Sequence, residues 1–274
     1  MTRPIALRNL VRFDTTAGAR SPDQDLVAVE SPLTVRVQPE DGPSLSLGLL
    51  MRTPGHDEDL ALGALLAEGV INSSAAVRRV ETRRIDEADD IIVYVTSDAN
   101  LSAIVGRGSA STSACGLCGR LEQLTVESSA AMAATTETPM VTAEQLVVMP
   151  DVLRASQAAF AETGGLHAAG LFAPEGTLHV IREDVGRHNA VDKVAGALLR
   201  SQALPAINRV LVVSGRVAYE IVQKAARCGV PVILAVGAPT DLAVDAARAA
   251  GITLAGFARG HRFNAYTWAG RIRT

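Results

Sequence analysis

The sequence lacks an excess of basic residues and lacks the cysteines of a disulfide framework. Its 274 residues carry a formal net charge of −3, whereas proteins that bind nucleic acids normally show a strong positive excess. We therefore expect no nucleic acid partner. Cys115, Cys118 and Cys228 are too few, and odd in number, for a set of disulfides.

Long apolar runs are also missing. No stretch is long enough for a secretory signal or a membrane span. We therefore expect a cytoplasmic protein with no membrane association, in a reducing compartment where thiols more often serve chemistry than structure. With 48% hydrophobic residues, the chain can bury the core of one large domain or two small ones.

Composition and periodicity divide the chain into three parts. The polar stretch 1–25 has no period, and we predict an irregular lead-in. A strand-rich α+β half is predicted over 26–138, with one helix that starts after Pro54 and ends near Gly69. This half ends in a mobile loop at about 106–120, composed almost entirely of small residues before its two cysteines.

The second half, 139–274, has the more regular pattern. Its predicted order is helix, hairpin, helix, strand, helix, strand, helix and strand, with Pro150 as a kink or break in the first helix. Apolar runs bounded by glycine indicate strands buried on both faces, hence a largely parallel sheet covered by helices. This order is that of the cytidine-deaminase-like fold. The predicted class is therefore α/β, a three-layer α/β/α deaminase-like half after a smaller α+β half.

The residues of deaminase chemistry are absent from that half. Zinc deaminases carry His-x-Glu where the second helix begins and Pro-Cys-x-x-Cys where the third begins. Here the second predicted helix opens with "HNA" at 188–190, and the third opens with "SGR" at 214–216. The fold can be present, but the zinc ligands and the glutamate are missing.

The segment "SACGLCGR" places Cys115 and Cys118 at the far end of the small-residue loop. A structural zinc site needs about four ligands, so this pair would need completion across subunits. A thioredoxin-like dithiol normally opens a helix, which this pair does not. A thiolate on a flexible tether, promoted by Arg107 or Arg120, fits the loop best. Two loop cysteines without a function are the remaining alternative.

A second candidate site lies where two buried strands end. Ser214, Gly215 and Arg216 follow one strand, and Gly237 follows the next. In such folds ligands bind at the carboxyl ends of strands, where N–H groups at helix starts favour anions. Glycine permits close approach of the backbone, and Arg216 adds positive charge. We prefer a phosphate-bearing ligand to the alternative of two ordinary glycine-rich turns.

The segment "ARGHRFNAYT" at 258–267 interleaves arginines with aromatic side chains. Guanidinium groups pair with phosphates, and the aromatic rings can stack on a base or a pterin. The alternative is a solvated tail. We prefer the ligand interpretation because the apolar rings alternate with the charges.

Three features carry less information. The polar cluster at 183–193 is equally consistent with the rim of an active site and with an ion network that caps a helix. His167, in "TGGLHAAG", is expected to be an ordinary strand histidine. Cys228 lies in a predicted helix and is expected to be a buried thiol.

Six segments occur together and in a fixed order, and as a set they resemble the formate dehydrogenase accessory sulfurtransferases. They are the cysteine loop, "TPGHDEDLALG", "TGGLHAAG", "EDVGRHNAVDK", "VLVVSGR" and "GFARGHRFNAYT". The likeness extends from about residue 25 to the carboxyl terminus. The combination is far more specific than any single segment.

The resemblance implies a cytoplasmic homodimer that takes persulfide sulfur from a cysteine desulfurase. The sulfur would pass to the bis(molybdopterin guanine dinucleotide) molybdenum cofactor of formate dehydrogenase, a bound substrate that GDP would mimic, and no zinc is expected. By position in the motif, Cys115 carries the persulfide and Cys118 is its partner. The segment implied to bind the cofactor comprises Phe257, Ala258, Arg259, Gly260, His261 and Arg262.

Alternatives from other functional classes stay open. The protein could be a non-catalytic chaperone that binds the molybdenum cofactor and uses its cysteines only to dock a partner. It could also be a zinc-binding or nucleotide-processing protein on a deaminase-like scaffold, which the missing His-x-Glu disfavours.

Overall fold

The computed structural model describes residues 3–85, 88–104 and 140–274. Within them the chain forms a six-stranded sheet, a four-stranded sheet, two pairs of strands and six α-helices. This architecture confirms the predicted α/β class. The loop predicted at about 106–120, with Cys115 and Cys118, lies outside the described residues.

The chain starts with an antiparallel hairpin, so the prediction of an irregular lead-in was wrong. It consists of β1 (Ile5–Asp14) and β2 (Ala19–Ala28), which pair along their full length. Most of their side chains are exposed, and in the described residues neither strand joins another sheet. Without a buried face, a strand shows no alternation of apolar and polar residues. Pro22 within β2 also argues against a strand.

The four-stranded sheet has the order β4-β3-β6-β5. Its members are β3 (Ser31–Gln38), β4 (Leu45–Arg52), β5 (Val77–Ile85) and β6 (Ala88–Val95). β3 pairs antiparallel with β4 and parallel with β6. Leu33, Val35 and Val37 alternate along β3 and are fully buried. The period-2 pattern that predicted these strands therefore marks their buried face.

The predicted helix between the β4 and β5 strands is α1 (Asp57–Ala67). Asp57, Glu58 and Asp59 occupy its first turn, where the positive end of the helix dipole favours carboxylates. The chain leaves the helix at Gly69, whose φ of +70° lies in the left-handed region. These signals placed both ends of the helix correctly.

The six-stranded sheet has the order β13-β12-β11-β10-β8-β9. Its strands are β8 (His167–Phe172), β9 (Leu178–Asp184), β10 (Val210–Val213), β11 (Val232–Ala235), β12 (Thr253–Arg259) and β13 (Arg262–Thr267). β10, β11 and β12 are parallel, but β8, β9 and β13 run antiparallel to their neighbours. The largely parallel sheet of the prediction is thus a mixed one, because the short β8–β9 and β12–β13 connections form hairpins.

Helices cover both faces of this sheet. α2 (Ala143–Ala155) lies on one face, where Val210 and Val212 belong to its cluster of buried residues. On the other face lie α4 (Arg187–Arg200), α5 (Tyr219–Arg227) and α6 (Asp241–Ala249), with Leu211 and Val213 in their cluster. The predicted α/β/α layering is therefore present. Likeness to cytidine deaminases in particular stays a prediction.

The first helix of the second half is broken, but not at the predicted residue. Pro150 lies inside α2, and the break follows Ala155, before α3 (Ala158–Thr163). Thr142 caps α2 through a reciprocal hydrogen-bond pair with Gln145. The short strands β7 (Val141–Thr142) and β14 (Ile272–Arg273) pair in parallel beside this cap. No helix in the described ranges is long and apolar enough to cross a membrane.

The two halves meet where α1 crosses α4, and this crossing brings backbone against backbone. A Cβ atom on Gly63 would lie 1.8 Å from the carbonyl oxygen of Asp192, and one on Gly196 would lie 1.8 Å from that of Asp59. Buried apolar residues from both halves also form a single cluster. The division into units at residue 139 stays a prediction, and a common core spans that point.

Candidate functional site

The turns predicted to bind a ligand lie side by side at the carboxyl edge of the six-stranded sheet. Ser214, Gly215 and Arg216 follow β10, and Gly237 follows β11. The N–H of Gly237 donates to the carbonyl oxygen of Gly215 at 3.3 Å, and the N–H of Phe257 donates to that of Gly237 at 3.1 Å. A continuous edge of three parallel strands therefore presents these residues together.

The glycines at this edge have a packing reason. A Cβ atom on Gly237 would lie 2.7 Å from the carbonyl oxygen of Gly215, too close for any side chain. At Gly215 the added Cβ would meet His167 Nδ1 and Arg187 Cδ, both at 3.4 Å. Gly237 thus lets two turns touch each other, whereas at Gly215 an added Cβ would make ordinary contacts with His167 and Arg187.

Phe257 combines backbone strain with exposure. Its φ is +54°, a conformation that is an outlier for a bulky side chain. The register of β12 against β13 is irregular between Gly256 and Arg259, so Phe257 lies in a bulge. Phe257 is 50% exposed, and Val236, which precedes Gly237, is 39% exposed. Strain of this kind tends to persist at functional sites, and here it presents an aromatic face beside the glycine turns.

The remainder of the predicted cofactor segment forms the solvent-exposed end of the β12–β13 hairpin and not a free tail, and its binding of a ligand stays a prediction. Arg259 and Arg262 are exposed and stand directly opposite each other. Like charges in that position destabilise a strand pair. Across 3–85, 88–104 and 140–274, neither arginine has a carboxylate partner. The hairpin end therefore carries two unneutralised cations.

Other members of the segment contribute less. The side chain of Ala258 is 2% exposed and belongs to the cluster beneath α2, so it faces away from any ligand. Gly260 has a φ of +59°, which the tight turn between the two arginines requires. His261 is exposed in the same turn.

His167 is a residue of this edge that the sequence interpretation set aside. β8 runs antiparallel to β10, so its first residue lies where β10 ends. The Nδ1 atom of His167 is 3.5 Å from the hydroxyl of Ser214, which accepts a hydrogen bond of 2.9 Å from the N–H of Ala168. Partial burial and the nearby Arg187 lower the pKa of His167, and Asp184 acts in the opposite direction. Only the strand order, with β8 antiparallel to β10, could have shown that His167 lies at this edge.

The polar cluster at 183–193 serves mainly to hold the structure together. Asp184 is fully buried, and its carboxylate lies 2.7 Å from the ammonium of Lys193, itself 1% exposed. The same carboxylate accepts hydrogen bonds from Thr53 N–H, Gly186 N–H and the Asn189 amide. This network joins β4, β9 and α4. Asp184, Asn189 and Lys193 thus belong to a buried network, whereas the choice between the rim of an active site and a helix-capping network stays open for the cluster as a whole.

The cysteines divide into two groups. Cys115 and Cys118 lie outside the described residues. Cys228 is buried, and desolvation raises the pKa of its thiol to about 12, so it is unreactive at neutral pH. Among the described residues no three His, Cys, Asp or Glu side chains could hold a metal ion together. The expectation of no zinc concerns the cysteine loop and stays a prediction.

Comparison with known proteins places the chain in a family. The model of the FdhD/NarQ family matches residues 28–273. The chain belongs to the FdhD/NarQ family. A sulfur carrier protein FdhD from Nocardia farcinica is 42% identical over 275 residues, covering 99% of this chain and 96% of the relative. One from Sulfolobus acidocaldarius is 42% identical and covers 93% of this chain and 94% of the relative.

A solved structure supports the fold of this FdhD/NarQ member. It is a crystal structure of a protein from Desulfotalea psychrophila described as a formate dehydrogenase accessory protein. The TM-score is 0.73, with 24% sequence identity, and the match covers 98% of this chain and 99% of the other. At that identity the likeness concerns the fold alone. The resemblance drawn from the six sequence segments is confirmed at the level of the family.

Proposed function

We propose that this protein is a sulfur carrier that acts as a sulfurtransferase in the maturation of formate dehydrogenase. The observation that carries the proposal is its 42% identity, over 99% of its length, to a protein named sulfur carrier protein FdhD. The carboxyl edge of the six-stranded sheet supplies the second part, a cationic surface for the acceptor of the sulfur. The protein works in the cytoplasm.

The sulfur travels on Cys115. Its thiolate attacks the outer sulfur of a cysteine desulfurase persulfide; the S–S bond of the donor breaks, and the donor cysteine leaves as a thiolate. Cys115 then holds a persulfide with no net oxidation. Attack by the Cys118 thiolate on the inner sulfur releases hydrosulfide and forms a Cys115–Cys118 disulfide. Two electrons from a thiol reductant restore both cysteines.

The acceptor is the bis(molybdopterin guanine dinucleotide) molybdenum cofactor, bound as a substrate at the sheet edge. Phe257 offers a half-exposed ring on which a guanine or pterin can stack. Arg216, Arg259 and Arg262 are exposed along the same edge and hairpin and pair with phosphates. GDP reproduces the guanosine diphosphate end of one of the two dinucleotides in this ligand and is the probe of choice.

Its partners are a cysteine desulfurase as donor and the catalytic subunit of formate dehydrogenase as recipient, and the working form is a homodimer. The second candidate function is a chaperone that binds the same cofactor and uses its cysteines only for docking. The cationic edge supports the chaperone function as much as it supports sulfur transfer. The two differ in whether sulfur ever resides on the protein.

Mass spectrometry of the protein after incubation with a cysteine desulfurase and cysteine, without reductant, separates these functions. We expect a gain of one sulfur atom on the peptide that contains Cys115, absent in Cys115→Ala. Cys118→Ala should retain this sulfur longer than the wild type does, because the resolving thiol is missing.

Cys228→Ala is the matched control and should gain sulfur as the wild type does, since its thiol is buried with a pKa of about 12. If Cys115 gained no sulfur and a native mass spectrum showed bound zinc, the result would favour the interpretation of the cysteine loop as a metal site. A Cys115→Ala, Cys118→Ala double variant that still matures formate dehydrogenase would establish the chaperone.

A further inference from the structure

The β1–β2 hairpin, which we call the arm, has an apolar face that the described residues leave exposed. Leu7, Val11 and Phe13 lie on this face, and each is more than half exposed. In its middle, the Gln24 amide donates a hydrogen bond of 2.9 Å to the Asn9 side chain opposite. A two-stranded hairpin by itself is marginally stable at best in water, and packing of one face on a further element stabilises it. We therefore expect the arm to pack on another surface.

The outer side of α2 is a second exposed apolar surface, which we call the α2 stripe: Val148, Val152 and Ala155. Their spacing places all three on one side of the helix. Val148 is 50% exposed, and the other two are exposed as well. The opposite side of α2 is also apolar and is buried on the six-stranded sheet. A helix that is apolar on both sides is normally covered on both.

Each of the two surfaces carries a charge, and the two signs are opposite. Arg20 stands directly opposite Phe13 in the hairpin and therefore lies on the apolar face of the arm. Asp151 is exposed and flanks the α2 stripe, three positions after Val148. Across 3–85, 88–104 and 140–274, neither Arg20 nor Asp151 forms an ion pair. Complementary charges of this kind orient two surfaces on each other.

The area of the arm shows which arrangement a stable dimer needs. Two strands of ten residues have a face of roughly 300 Å². Two arms stacked on each other would bury only about 600 Å² in total, which is typical of a crystal contact. If each arm instead packs on the body of the partner, two-fold symmetry forms the contact twice and buries up to about 1,200 Å², the lower limit for a stable interface.

We propose that two copies of this chain form a dimer by exchanging arms, so that the apolar face of each arm packs on the α2 stripe of the other copy. Arg20 then lies against Asp151 of the partner subunit. This inference rests on the proposed function for its homodimer and gives that homodimer an interface. The match to the FdhD/NarQ family begins at residue 28, the last residue of the arm, so the contact uses a segment outside that match.

Analytical ultracentrifugation of the full-length protein at several concentrations tests the interface. The wild type should be a dimer. Phe13→Asp and Val148→Asp should each weaken dimerisation on the order of a hundredfold or more, because each places a charge in an apolar contact. Ile207→Asp is the matched control: Ile207 is 51% exposed and belongs to neither surface, so this variant should dimerise as the wild type does.

Charge exchange tests whether the arm of one copy meets α2 of the other. Arg20→Glu and Asp151→Arg each create like charges at both contacts and should weaken dimerisation about tenfold. A mixture of these two variants should recover the affinity of the wild type, because their heterodimer contains one original and one exchanged pair. Arg209→Glu, which changes an exposed arginine outside both surfaces, should have no effect.

Variants of the arm and of the α2 stripe that dimerise as tightly as the wild type, or a mixture that does not recover, would overturn the inference. A monomeric wild type would do the same. If the arm variants then lost binding to a cysteine desulfurase, that protein would be the partner of the arm. Persulfide formation on Cys115 reports on the proposed function separately: its absence from a dimeric wild type would contradict sulfur transfer and leave the interface standing.

Discussion

The junction between α1 and α4 and the carboxyl edge of the six-stranded sheet use glycine and charge in different ways. At the junction, Gly63 and Gly196 let two backbones touch, and the buried carboxylate of Asp184 is matched by Lys193. At the edge, Gly215 separates His167 from Arg187, and Arg187 Nε has no acceptor among the described residues. The buried charges of Asp184 and Lys193 are thus paired, whereas the buried Nε of Arg187 at the edge is not.

The comparison teaches how to sort polar residues that look alike in a sequence. The segment "EDVGRHNAVDK" contributes Asp184 and Lys193 to the junction and Arg187 to the edge. Composition and spacing do not separate these roles. Hydrogen-bond partners do, and substitutions in the two regions should therefore affect different measurements.

The largest loss of stability should follow from adding a side chain where α1 and α4 cross. In Gly63→Ala the new methyl group would lie 1.8 Å from the carbonyl oxygen of Asp192, so α1 and α4 must separate and the common core must loosen. We expect a loss of about 4 kcal/mol or more in the free energy of unfolding, measured by chemical denaturation. Gly165→Ala is the control, because its Cβ would lie at an ordinary 3.5 Å from that of Ala28. Equal stability of both variants would show that the helices do not touch.

Breaking the buried ion pair should come next. Lys193→Met leaves Asp184 charged and buried without its cation, and such changes lower stability by about 3–5 kcal/mol. The exposed pair of Arg248 and Asp245, also at 3.0 Å or less, provides the comparison: Arg248→Gln should change stability by less than about 1 kcal/mol. Thermal or urea unfolding measures both. A Lys193→Met protein as stable as Arg248→Gln would mean that the junction does not depend on this pair.

The smallest expected change in the free energy of unfolding has the opposite sign and concerns Phe257 at the carboxyl edge. Phe257→Gly relieves a positive φ and should raise stability by about 1 kcal/mol. Loss of the aromatic face should weaken GDP binding roughly tenfold or more. Phe257→Ala is the control, because it removes the ring but keeps the strained backbone, so only binding should fall. If Phe257→Gly lowered stability instead, the conformation would not be strained.

The sequence predicted the elements whose pattern arises from burial. Leu33, Val35 and Val37 alternate because one face of β3 is buried, and the order of elements after residue 139 is correct for the same reason. The β1–β2 hairpin was missed because its side chains are mostly exposed and impose no pattern. β13 was not assigned because its exposed polar residues resemble a tail. A break at Pro150 was expected from local sequence, but α2 continues through it.

The candidate site was predicted in part. The glycine turns after β10 and β11 could be named because strand ends carry glycine at predictable places, and the structure brings them together. The sequence could not show that β8 runs antiparallel to β10, and that direction brings His167 to Ser214. It could also not show that the bulge at Phe257 rotates a large ring outward. Both depend on pairings between distant segments.

Contact between α1 and α4 through their backbones has a mechanical consequence. Helices that interlock through side chains can slide past each other by changing rotamers, which is the usual basis of shear motion. Gly63 and Gly196 offer no rotamers to change. We therefore expect the four-stranded sheet and the six-stranded sheet to keep a fixed relative position at this contact. A partner that binds the first half would thereby also position the carboxyl edge of the sheet in the second half.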